Sequence, residues 1–192
     1  MKKQFNKSLR ITKYVIYKET FVDKKEHFWS FVGSFVGIAC IAFIQTFYLD
    51  KTASIFLIGS FGASSVLVYG AIYSPLAQPR NLIGGHVISA LIGVCVYKTV
   101  GDIFWLAAPL AVSLSIVAMQ ITKTLHPPGG ATALIAIIGS KKIISLGFFY
   151  VLSPVLSGCL ILLFTALLFN NITKNRVYPK QSKFIKRIRN ID

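Results

Sequence analysis

The amino-acid sequence predicts an all-α fold: a polytopic transmembrane helical bundle of about six membrane segments, one of them short or broken. Three observations predict it. The chain has 192 residues with 21 Lys and Arg against 6 Asp and Glu, yet residues 28–169 hold only 8 of those charges. That middle is too apolar to build the polar shell a soluble domain needs. It also contains apolar runs of the roughly 20 residues that cross a bilayer. Finally, both ends are strongly basic, and basic flanks stay on the cytoplasmic side.

The elements follow in order. Phe28–Leu49 is the first span, with Trp29 and Tyr48 as aromatic ends. Ala53–Tyr73 is the second, interrupted at Gly59-Ser60-Phe61-Gly62. Leu82–Val100 and Ile103–Ile121 are the third and fourth. Ser145–Phe169 is the last long run, and the short run Gly130–Gly139 precedes it. Residues 1–27 form a basic N-terminal tail and residues 170–192 a basic C-terminal tail. Two cytoplasmic tails require an even number of crossings, so the short run completes a sixth. Four full spans, with one long run re-entrant, is the alternative. Phe184, Ile185, Ile188 and Ile191 also fall at helical spacing among basic residues, a pattern for a helix lying on anionic lipid. A solvated tail that only fixes orientation explains the same residues. The bilayer is thus the partner that the +15 charge implies, not nucleic acid. A bacterial inner membrane is the expected location, since the composition is rich in Lys, Ile and Asn.

A weak internal repeat runs through the body. At an offset of 68, Gly62–Leu67 lies over Gly130–Ile135, and Val87–Ala90 over Val155–Gly158. A repeated unit of three segments has inverted topology, a common transporter plan. Chance similarity among small residues accounts for the match equally well.

Two segments carry the chemistry. The first runs from Ser74 to His86 and holds Gln78, Pro79, Arg80 and Asn81. The second runs from Thr124 to Thr132 and holds His126, Pro127, Pro128, Gly129 and Gly130. Proline suits the first turn of a helix, where its missing donor is not required. Pro127 and Pro128 therefore lead into a helix whose first N–H groups lack internal partners. Such an end favours an anion, and Thr132 adds a hydroxyl. The break at Gly62, Ser64 and Ser65 offers a second such end, and the two helix starts are expected to face each other. Arg80 is the sole Arg between residues 28 and 169, and its planar fork suits an oxyanion. The orientation rule alone also explains it. His86 and His126 are polarity-tuning or proton-carrying candidates, or helix–helix glue. No Asp or Glu falls inside an apolar run, which argues against a carboxylate relay or a carboxylate Na⁺ site. No nucleophile set, metal set or phosphate loop is visible, so neither an enzyme nor a cofactor is expected.

His126-Pro127-Pro128 followed by Gly130-Ala131-Thr132 resembles the signature of the HPP family of integral membrane proteins. Pro75–Asn81, followed by Gly84-Gly85-His86 and Ser89-Ala90, resembles that family's other well-kept stretch. Asn170-Asn171 and Tyr178-Pro179 resemble its C-terminal end. The family pattern has alanine where this chain has Gly129. The resemblance implies a small protein with four spans, and nitrite as the named candidate substrate, because plastid and cyanobacterial relatives are associated with its transport.

The combined reading is a transporter or channel for a small inorganic anion. Gly62, Ser64, Ser65, Gln78, Arg80, Asn81, His86, His126, Pro127, Pro128, Gly130 and Thr132 are the expected substrate-binding set. A membrane scaffold or accessory subunit is the rival, and a homo-oligomer is compatible with so small a body. The basic tails generate a first prediction. Epitope tags at either end will be cleaved by protease in inside-out vesicles and protected in right-side-out ones.

Overall fold

The computed structural model describes residues 24–48, 58–173 and 176–180. The predicted tail helix over 184–191 lies outside them. Helix α1, Lys24–Tyr48, opens the body. Helix α2, Gly59–Ser65, runs into a wider π-helical turn at Val66–Gly70. Within the described residues, the predicted second span is thus helical only over this short stretch. The chain then makes a 3₁₀ turn at Pro75–Ala77, where Ser74 Oγ accepts from Leu76 N. Helix α3, Pro79–Val100, begins with proline in its first turn. Helix α4, Phe104–Ile121, returns after a turn of three residues.

Helix α5, Pro127–Ile138, is short as predicted, and it starts at the two prolines. The five-residue helix α6, Lys141–Ser145, is capped by Ser140 Oγ. The last predicted span is broken. Gly147 takes a positive φ of 53°, and Ser153 before Pro154 is extended inside the π-helical stretch Val151–Leu156. Proline cannot donate to the ladder. Helix α7, Ser157–Phe169, completes the run.

Four helical stretches are long and apolar enough to cross a membrane: α1, α3, α4 and Val151–Phe169. The short helices α2, α5 and α6 stand between them. Large apolar side chains point outward along the bundle, including Phe31, Phe35, Trp105 and Phe164. Such a surface suits lipid rather than water.

Small residues set the closest contacts. Gly85, Ser89 and Gly93 recur every fourth residue on α3 and form a stripe against Gly129, Ala133 and Ala136 of α5. A Cβ on Gly93 would lie 2.6 Å from the Ala133 carbonyl oxygen, and one on Gly129 would lie 2.9 Å from that of Gly85. Backbones approach this closely only where side chains are absent. On the other side, Gly33 of α1 faces the Tyr69 ring, with only 2.8 Å for a Cβ, and Gly37 faces the same ring. The Tyr69 hydroxyl is held by Thr165 Oγ1 at 2.6 Å and the Leu162 carbonyl at 3.2 Å.

The described part of the region read as a basic tail packs onto the body. Arg176 is 2% exposed and pairs with Glu26 at 3.1 Å. It also donates to Ser30 Oγ, to the Tyr69 carbonyl and to Asn170 Oδ1. Asn170 in turn donates to the Val68 carbonyl. The Tyr178 hydroxyl donates to the Ala77 carbonyl at 2.7 Å. Burial pushes that phenol up from its ordinary value, so it stays a neutral donor. These contacts require a boundary later than residue 169 for the packed body.

The end of α4 is a Schellman motif. Thr124 N donates to the Met119 carbonyl and Lys123 N to that of Gln120. The position after the cap, where glycine is usual, is Lys123 with φ 57°. A side chain in this region costs about 1 kcal/mol. Two predictions follow from these contacts. Lys123→Gly will raise the melting temperature in detergent, by a stabilisation of about 1 kcal/mol. Arg176→Met will lower it, by on the order of 3 kcal/mol, because Glu26 loses its buried partner.

Candidate functional site

Four polar side chains from separate segments meet inside the bundle: Ser64 from α2, His86 from α3, His126 from the turn before α5, and Thr132 from α5. All four are fully buried, at 0% exposure. Ser64 Oγ lies 2.6 Å from His86 Nε2 and 2.9 Å from His126 Nε2. On its other side, His86 Nδ1 lies 2.6 Å from Thr132 Oγ1. Thr132 Oγ1 also donates to Ser60 Oγ at 2.9 Å. His126 Nδ1 meets the Leu76 carbonyl at 2.8 Å. A carbonyl only accepts, so that nitrogen carries a hydrogen.

The contacts also fix how the two short helices lie. Ser60, at the start of α2, meets the second turn of α5. Ser64, at the end of α2, meets the residue preceding α5. The helices therefore run antiparallel, and their two starts point away from each other. The expectation of facing helix starts is corrected. The side chains do the meeting, because a hydroxyl one turn along each helix reaches His86. Those hydroxyls, on Ser64 and Thr132, are separated by the repeat offset of 68.

The remaining expected residues fall in two other places. Arg80 and Asn81 tie the start of α3 to the turn between α4 and α5, and Gln78 ties it to the preceding loop and to Lys180. Gln78 Nε2 donates to the carbonyls of Ile72 and Ser74, and its Oε1 accepts from Lys180 N. Asn81 donates to the Leu125 carbonyl at 2.7 Å. Arg80 donates to the Thr122 carbonyl at 2.7 Å from an exposed position. That carbonyl belongs to the end of α4, where a cation is favoured. Gly62 and Ser65 line an outward groove of about 450 Å³ between α1 and α2, away from the imidazoles. Ser65 Oγ donates to the Phe61 carbonyl within its own helix. Pro127 and Pro128 form the first turn of α5, and Gly130 faces Val112 at van der Waals distance.

Sequence reasoning missed three groups here. Ser60 belongs to the interruption in the second apolar run, but only the later residues of that interruption were selected. The Tyr150 hydroxyl donates to the Thr132 carbonyl at 3.1 Å, and nothing local in the sequence marks it. Ser89 Oγ is buried without a hydrogen-bond partner among the described residues. It lies beside Gly129, close enough that a Cβ there would be 2.7 Å away.

The fold and this cluster define a class: a helical integral membrane protein closed around a buried imidazole–hydroxyl network. Residues 19–179 match the family model described as HPP, transmembrane region, and the chain belongs to that family. It is similar to a transmembrane protein of Dictyostelium discoideum, 46% identical over 162 residues, which are 82% of this chain and 51% of that one. A second transmembrane protein of the same organism is 48% identical over 163 residues, 82% of this chain and 56% of that one. The chain thus spans about half the length of these curated relatives. No solved structure matches it.

The network separates two classes of substitution. Ser64→Ala leaves two buried ring nitrogens short of a partner and will destabilise the protein by about 1–3 kcal/mol in thermal unfolding. Arg80→Gln removes one exposed bond and will cost less than about 1 kcal/mol in the same measurement.

Proposed function

We propose that this protein moves a small inorganic anion across the membrane, with nitrite as the first candidate, along a path through the Ser64–His86–His126–Thr132 network. The observation that carries this reading is the convergence of two imidazoles and two hydroxyls from four segments at one buried point. Intramembrane ionisable groups are expensive and mark solute or proton pathways. The hydroxyl of Ser89, buried beside the start of α5 with no hydrogen-bond partner among the described residues, is a donor available to a solute. No Asp or Glu hydrogen-bonds to the network among the described residues, which favours an anion over a cation. With the network fully buried, this conformation is an occluded one. Arg80, exposed at the mouth of α3, attracts the anion electrostatically rather than clamping it. Both termini are taken as cytoplasmic. A bacterial inner membrane is the location read from composition, while its two transmembrane relatives belong to Dictyostelium discoideum.

One observation favours the scaffold reading. The α3–α5 seam is closed by glycines and leaves the polar groups bonded mainly to each other, as tight helix packing alone would do. Uptake into proteoliposomes separates the two. Nitrite, nitrate, formate and bicarbonate are offered to wild-type protein and to the His126→Ala and Arg80→Gln variants. Transport predicts uptake of at least one anion above protein-free vesicles. It also predicts loss of 90% or more of that uptake in His126→Ala and a few-fold loss in Arg80→Gln. Folded wild-type protein that moves none of the four anions would leave the scaffold reading.

A further inference from the structure

We infer that the cavity between the end of α3 and helix α6, with Lys98 at its rim and Tyr150 on its inner wall, is a second binding site for a small inorganic anion, at the far end of α3 from Arg80. That this anion is the transported solute rests on the transport reading. The cavity and its charge do not.

Helix α3 is long and apolar enough to cross a membrane, and it carries a cation near each end. At a rise of 1.5 Å per residue, Arg80 and Lys98 stand about 27 Å apart along the helix axis. That is close to the hydrocarbon thickness of a bilayer. Lys98 is exposed, and its ammonium lies 5.7 Å from the centre of the Phe148 ring, within cation–π range. Gly147 turns the chain beneath it with its positive φ. A Cβ there would lie 3.8 Å from Lys98 Cε and 3.9 Å from Nζ. Ring and glycine thus hold the charge at the edge of the cavity, which Lys98 and Gly147 both line.

The cavity measures about 60 Å³. One water needs on the order of 10–15 Å³ of such space. An anion of three or four heavy atoms fits, and a larger organic solute does not. Val94, Ala136 and Ile143 make much of the wall apolar. A charge beside such a wall acts with less screening than one in open water. The charges around the cavity favour an anion. Lys141 and Lys142 begin α6, whose next two residues, Ile143 and Ile144, line the cavity. Asp102 sits in the turn after α3 and is not among the lining residues. No Asp or Glu lines the cavity among the described residues.

Tyr150 joins the cavity to the buried network. It lines the cavity, is 1% exposed, and donates to the Thr132 carbonyl at 3.1 Å. Thr132 Oγ1 in turn lies 2.6 Å from His86 Nδ1. One phenol and one threonine therefore stand between an anion held by Lys98 and the imidazole of His86. The site is a waiting position, and the network is the next polar ground inward from it.

The test places a thiol in the cavity wall by Ile144→Cys, in a Cys40→Ala, Cys95→Ala background that leaves only the buried Cys159. An anionic methanethiosulfonate modifies that thiol in detergent free of phospholipid, so that no lipid phosphate competes. Nitrite and nitrate are the probes, and gluconate at equal ionic strength is the bulky control. A probe at several times its dissociation constant is expected to slow modification about fivefold, and gluconate to leave it unchanged. Adding Lys98→Gln will abolish the protection, and Lys98→Arg, which keeps the charge, will retain it. Equal protection by gluconate, or protection that survives Lys98→Gln, overturns the inference. In proteoliposomes, Lys98→Gln will raise the KM for anion uptake by about fivefold. Uptake with an unchanged KM and no protection overturns the site and leaves the transport reading standing. Protection of the thiol without uptake of either probe supports the site and removes the transport reading.

Discussion

The near-contact of the α3 and α5 backbones is the constraint on which the rest of the structure depends. Gly85, Gly93 and Gly129 hold that approach, and a methyl group at any of them would meet backbone. Because the helices lie so close, His86 on one reaches Thr132 on the other directly, with no space for water between them. In a bilayer, polar groups that protein partners do not satisfy stay unsatisfied. The seam thus forces the two imidazoles and two hydroxyls to satisfy one another. The segments leading into both helices are cross-tied for the same reason. His126 reaches the Leu76 carbonyl from one side, and Asn81 reaches the Leu125 carbonyl from the other.

Ser64 and Thr132, 68 positions apart in the chain, contact opposite nitrogens of the same His86 ring. The same offset relates neither imidazole to another: the position 68 residues after His86 is Pro154, and the one 68 before His126 is Ile58.

Much of this was legible in residue order. Apolar run lengths located all four long helices, and proline placed the starts of α3 and α5. The repeat offset paired the two hydroxyls before any contact was known. What failed did so for physical reasons. The second run reads as interrupted at Gly59–Gly62, but hydropathy does not register the π-helical turn at Val66–Gly70 or the loop that follows it. The antiparallel crossing of α2 and α5 depends on tertiary packing, which local sequence does not encode. Gln78, Arg80 and Asn81 looked like ligand donors because bracing a backbone carbonyl and binding an oxyanion call for the same N–H groups. Arg176 was read as one more basic tail residue, since its acid partner is 150 positions away.

That last pair spans the sequence by closeness in space. Glu26 lies in the first turn of α1, and Arg176 follows the end of α7. Their contact at 3.1 Å holds those two ends of the described body together. The pair is also ordered in time. Arg176 emerges from the ribosome after all the described helices, so the ion pair closes only once those helices have been made. It joins the start of α1 to the segment after α7 as a buckle joins a belt.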